Sequence, residues 1–118
     1  MKPISLLIVL FGIFTSVTIN AAEVNVYSHR HYDSDKILFN QFTRETGIKV
    51  NVVKASADQL IQRLISEGKN SPADVLLTVD AGRLHRAKAA GVLQPISSKT
   101  LNKNGPSAMR DPEGHWFG

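Results

Sequence analysis

Six consecutive residues, Tyr27-Ser28-His29-Arg30-His31-Tyr32, bring together two phenols, two imidazoles, a guanidinium and a hydroxyl. Imidazole nitrogen and phenol oxygen are both metal donors. A phenol ordinarily titrates near pH ~10, so tyrosine is a poor ligand at neutral pH unless a highly charged cation favours the phenolate. A hard ion such as Fe³⁺ prefers that oxygen. Plainer readings stand beside this one. His31 reads also as a solvated loop histidine, and Tyr32 as an amphipathic side chain lying over a pocket rim. His29 and His31, two apart, could chelate zinc from one strand face, but no third ligand stands at a useful spacing.

The surrounding pattern shows what must hold this cluster. Glu23 to Tyr27 alternates polar and apolar residues as a half-buried strand does, and Asp33-Ser34-Asp35 are residues that start helices. Open α/β sheets place ligands just outside the carboxyl ends of their strands, where such a cluster falls. A helix is expected over Asp35–Thr46, capped by Asp33 or Ser34. Leu38, Phe39 and Phe42 form its apolar stripe, and Gly47 stands at its left-handed end. Ile48–Val53 reads as a second strand, rich in β-branched residues. Ser56 and Gln59 have the form of a capping box, followed by Leu60, Ile61, Leu64 and Ile65 at helical spacing up to Gly68. Ala73–Val79 reads as a third strand whose continuous apolar centre suggests burial on both faces. Asp80 then caps a third helix that stops at Gly91.

Strands alternating with amphipathic helices give a βαβαβα unit, an α/β fold with a parallel sheet. Its strand ends, Ser28 to Tyr32, Lys54 to Ser56 and Thr78 to Asp80, fall on one edge. Each precedes a helix start whose free N–H groups suit an anion, so the edge suits a hard cation bound with a counter-anion. Asp80 reads more simply as a helix cap than as a ligand. His85 reads as a solvated helix residue, and His115 beside Trp116 as part of a turn or strand surface. Beyond Gly91 the pattern weakens, with a helical turn expected near Ser98–Leu101 and a turn at Asp111-Pro112-Glu113-Gly114. No G-x-S-x-G, H-E-x-x-H or phosphate-binding glycine loop is present, so no enzyme is expected.

The beginning of the chain reads differently. Met1-Lys2 gives a short positive start, the stretch to Val17 is almost wholly apolar, and Ala21-Ala22 supplies small residues. That is the layout of a secretory signal over residues 1–22, cleaved after Ala21 or Ala22. An uncleaved anchor is the alternative, although the apolar run is shorter than the ~20 residues a spanning helix needs. The formal net charge of +4 is spread without a run of like charge, which excludes a nucleic-acid partner. There is no cysteine, hence no disulfide framework, thiolate metal site or lipid-anchoring cysteine.

From Val24 to Gly118 the chain resembles the N-terminal part of periplasmic ferric-iron-binding proteins, above all those of the cyanobacterial-type branch. These are the solute-binding subunits of ABC-type iron(III) transporters. The stretches NVYSHRHYDSD, FTRETGIKVNVV, SPADVLLTVDAGRL, AGVLQPI and RDPEGHWFG carry the resemblance, SPADVLLTVD and DPEGHWFG most specifically. It implies a class II periplasmic binding-protein fold, whose two lobes close on Fe³⁺. Residues 23–118 would form the N-terminal part of the first lobe, truncated within it, with the second lobe absent. It also implies His31 and Tyr32 as metal residues, because an adjacent histidine and tyrosine follow the first strand in that branch.

Other branches place a glutamate after the third strand. Val79 stands there with Asp80 next to it, so no carboxylate ligand is carried over. The family's tyrosine pair and anion-holding arginines would lie beyond Gly118. The implied function is capture of Fe³⁺ in the periplasm, with a synergistic anion, and delivery to an inner-membrane ABC permease. The protein would act as a monomer and would be incomplete in this chain alone. Alternatives are a protein of the same fold for a polyamine, thiamine or organic anion, or a truncated product with no binding function.

Overall fold

The computed structural model describes residues 21–118. The signal expected over residues 1–22 therefore lies, but for Ala21 and Ala22, outside the described residues. Three parallel strands form the sheet: β1 (Glu23–Ser28), β2 (Lys49–Lys54) and β3 (Val75–Leu77), in the order β2-β1-β3. The strand before the His-Tyr cluster is thus the central one, a point that alternation of helices and strands leaves open. Tyr27 lies opposite Val53 on one side and Leu76 on the other, and Ser28 lies opposite Lys54 and Leu77. The three strand ends meet on one edge, as the βαβαβα pattern predicts.

Helix α1 (Asp33–Thr46) returns the chain to β2, and α2 (Ala57–Glu67) returns it to β3. The capping box at the start of α2 is present. Ser56 Oγ accepts the Gln59 N–H at 3.2 Å, and Gln59 Oε1 accepts the Ser56 N–H at 3.1 Å. Gly68 follows α2, and Gly47 ends α1 at φ 74°, a left-handed conformation that favours glycine. The core lies where α2 packs against β1, with Val26, Tyr27, Ala57, Leu60 and Ile61 buried, and Ala87 is buried on α3 (Ala81–Ala89).

Three expectations change. Neither Asp33 nor Ser34 caps α1; the cap position is Tyr32, without a side-chain bond, and both residues lie inside the first turn. There the two acidic residues Asp33 and Asp35 meet the positive end of the helix dipole. The third strand is only three residues long and is not buried on both faces. It is an edge strand, so Val75 remains 41% exposed. The turn near Ser98 is a helix, α4 (Lys99–Asn104), with Ser98 Oγ accepting the Leu101 N–H at 3.2 Å.

After α4 the chain folds back on itself. Arg110 bridges antiparallel to Phe117, and Gly114 at φ 80° turns the chain between them. Asp111 ties this turn to α3. Its Oδ1 accepts Lys88 Nζ at 2.8 Å, and its Oδ2 accepts the His115 N–H at 3.0 Å and lies 2.9 Å from His115 Nδ1. His115 is therefore a half-buried partner of Asp111, with more than a surface role.

Candidate metal centre

The cluster is held from both ends. On the strand side, His29 N–H donates to Leu77 O at 2.9 Å, Ala55 N–H donates to Ser28 O at 3.3 Å, and Arg30 N–H donates to Ser28 Oγ at 3.1 Å. On the helix side, Asp35 N–H donates to Tyr32 O at 3.1 Å. His31 and Tyr32 occupy the short crossing between these anchors and are both exposed, Tyr32 by 54%. A residue pair on so short a crossing has its backbone fixed while its side chains stay exposed.

Neighbouring side chains fix the rings. Arg30 donates from Nε and Nη2 to the two oxygens of Asp35 at 2.8 and 2.9 Å, a bidentate pair. That places its guanidinium carbon 5.0 Å from the Tyr32 ring centroid, in cation–π range. The hydrogen bonds from Arg30 hold the Asp35 carboxyl below its ordinary range, against the opposing effect of burial. His31 meets His29 edge to face, with ring centroids 5.5 Å apart. His29 is half-buried, and its Nδ1 is buried with no hydrogen-bond partner.

The zinc reading gains no third ligand here. Among the described residues, the one set of three His or acidic ligand atoms within reach of one another is Asp111, Glu113 and His115. Lys88 Nζ already lies 2.8 Å from Asp111 and 3.1 Å from Glu113, so an internal ammonium already occupies the position between those carboxylates. It serves as a clasp. Asp80 is the cap the spacing predicts, its Oδ1 accepting the Arg83 N–H at 2.8 Å while Oδ2 pairs with the Arg83 guanidinium. His85 is exposed on α3. The Arg30–Asp35 brace has no sequence signature, since a loop residue and a helix residue five apart meet only once the helix has turned.

A parallel sheet with its polar cluster outside the strand ends, and helix starts facing the same edge, defines a ligand-binding α/β lobe. The chain belongs to the bacterial extracellular solute-binding protein family, whose profile matches residues 29–117. Iron uptake protein A1 of Synechocystis sp. is 55% identical over 96 residues, which is 81% of this chain and 27% of that protein. The structure of Trichodesmium IdiA (FutA) in complex with iron and citrate ligands matches with a TM-score of 0.79 at 58% identity. That match covers 82% of this chain and 31% of the Trichodesmium chain. A ferric binding protein from Campylobacter jejuni matches with a TM-score of 0.78 at 47% identity, over 80% of this chain and 30% of its own. The resemblance to ferric-iron-binding proteins is thus borne out, as is the α/β lobe. The chain spans less than a third of the length of these relatives.

Proposed function

We propose that His31 and Tyr32 of this chain donate to a ferric ion captured outside the inner membrane. In this reading the ion is bound together with an anion and passed to the permease of an ABC transporter. Residues 1–22 direct export and are removed, and residues 23–118 form the first part of one lobe of a monomeric binding protein that catalyses nothing. The observation that carries the reading is the exposed histidine-tyrosine pair at the end of the central strand, in a chain whose relatives include proteins named for iron uptake and ferric binding.

Phenolate oxygen suits a hard trivalent ion, and imidazole adds a neutral donor beside it. Two donors on an open sheet edge leave most of a ferric ion's coordination to other groups. This surface alone therefore holds iron weakly, without the colour of a tyrosinate complex.

The test uses variants of a full-length, two-lobed, iron-loaded protein, in which donors from the other lobe complete the coordination. Tyr32→Phe weakens ferric binding and shifts the visible phenolate-to-iron band. His31→Ala weakens binding with a smaller change in colour. Unchanged affinity and spectrum in both variants would return the two residues to the solvated loop.

A further inference from the structure

Between Asp80 and Asp111 the chain carries six cationic residues, Arg83, Arg86, Lys88, Lys99, Lys103 and Arg110, and no carboxylate. Elsewhere acidic residues outnumber basic ones, so the positive charge of the chain is concentrated in this stretch. The first three cations are matched by carboxylates from outside it. Arg83 pairs with Asp80, Arg86 Nη2 lies 2.9 Å from Asp58, and Lys88 bridges Asp111 and Glu113.

The last three are not matched. Among the described residues, Lys99, Lys103 and Arg110 form no ion pair. Lys99 and Lys103 are exposed and stand four apart on α4, so they share one face of that helix. Arg110 joins the same side through Asn102, whose backbone O and Oδ1 both accept Arg110 Nη1 at 3.1 Å. Both acceptors are neutral, so they fix the guanidinium without cancelling its charge.

We infer that this face of α4 is an adsorption surface for an anionic lipid bilayer. Headgroups present mobile negative charge in a plane, and each Lys or Arg that reaches them adds to the attraction. The face offers two lysines and an arginine with no aromatic ring, whereas the cores of protein interfaces are poor in lysine and rich in aromatic rings. A second copy of the chain would bring like charge to like charge. The surface goes beyond the ferric reading. It rests on that reading only for export, which brings the protein to a membrane face, and it needs no metal.

The experiment is co-sedimentation of the processed protein with vesicles, residues 1–22 being removed so that the apolar leader adds no membrane binding of its own. The probes are vesicles of equal parts phosphatidylglycerol and phosphatidylcholine, and vesicles of phosphatidylcholine alone. The protein binds the mixed vesicles and leaves the neutral ones, and about 1 M salt, where the Debye length falls to about 3 Å, releases it. Lys99→Gln/Lys103→Gln weakens binding about tenfold, and Lys99→Arg/Lys103→Arg retains it. Lys49→Gln/Lys69→Gln, an equal change of charge elsewhere, leaves it nearly unchanged. Metal binding at His31 and Tyr32 does not change in the α4 pair, so the two readings stand or fall separately. In the unmutated labelled protein, the amide signals of Lys99, Asn102 and Lys103 respond first to the mixed vesicles, whatever the variants do to folding. Equal binding to neutral vesicles, equal loss in the Lys49/Lys69 pair, or a first response at other residues overturns the inference. Tighter binding to polyglutamate than to the mixed vesicles also overturns it, in favour of an acidic protein partner.

Discussion

Tyr27 and Tyr32 are the chain's two tyrosines, five positions apart, and their surroundings give them opposite roles. Tyr27 is 1% exposed, donates to the Glu67 carboxylate at 2.9 Å, and lies under the Arg63 guanidinium. Burial above all, then the bond to Glu67, pushes its phenol above the ordinary value, so it stays protonated and structural. Tyr32 is open to solvent and is the phenol that the ferric proposal takes as a donor. Alternation along β1 puts Tyr27 on the face of Glu23 and Asn25, so its burial was not legible there, whereas the stop in that pattern marks Tyr32 as something else. Contacts between distant parts of the chain were less legible. Lys88 and Asp111 are 23 positions apart, and only the folded backbone brings them together.

That pair carries a pH prediction. The Lys88 ammonium first, then the bonds from His115, holds the Asp111 carboxyl far below the usual carboxylate range. A carboxylate with a depressed folded pKa contributes stability above its unfolded value of ~3.9, and loses that contribution as pH falls toward the folded value. Asp111→Asn should lower the melting temperature at pH 7 and flatten its decline on acidification. Thermal melts recorded between pH 7 and pH 3 check both effects, and parallel curves for the two proteins would contradict the clasp.

At the scale of elements, local signals read well where the chain satisfies its own backbone. The Ser56–Gln59 capping box, the left-handed Gly47 and the Asp80 cap involve only nearby residues, so spacing suffices to find them. Ser56→Ala should cost about 0.5–2 kcal/mol, read as a lower urea midpoint with an unchanged slope, and an unaltered midpoint would sink the cap. Burial was less legible than element type. The stripe on α1 has the right period, yet Leu38 is 60% exposed and Phe42 41% exposed. Helical period shows which residues share a face; it does not show whether anything covers that face. The apolar centre of β3 misled in the same way, because a strand at a sheet edge has a neighbour on one side only.

Across the whole molecule, the sheet order matters most for function. With β1 in the centre, the crossing that carries His31 and Tyr32 is flanked by the ends of both other strands and lies at the start of α1. Alternating strands and helices were enough to predict a parallel sheet with its strand ends on one edge, whereas the order of strands depends on long-range pairing that periodicity does not encode. The described residues offer two places for a cation. One is the exposed His31-Tyr32 pair, and the other is the Asp111-Glu113-His115 set, whose two carboxylates Lys88 already bridges.

A measurement that separates these two places tests the central claim most directly. Gallium(III) is a diamagnetic, hard trivalent stand-in for Fe³⁺, and it can be titrated into the isotope-labelled protein and followed by NMR even when binding is weak. The account predicts shifts centred on His31 and Tyr32 that spread to His29 and Arg30 and are lost in Tyr32→Phe. Shifts centred on Asp111, Glu113 and His115 instead, or no change near Tyr32 at saturating metal, would contradict it.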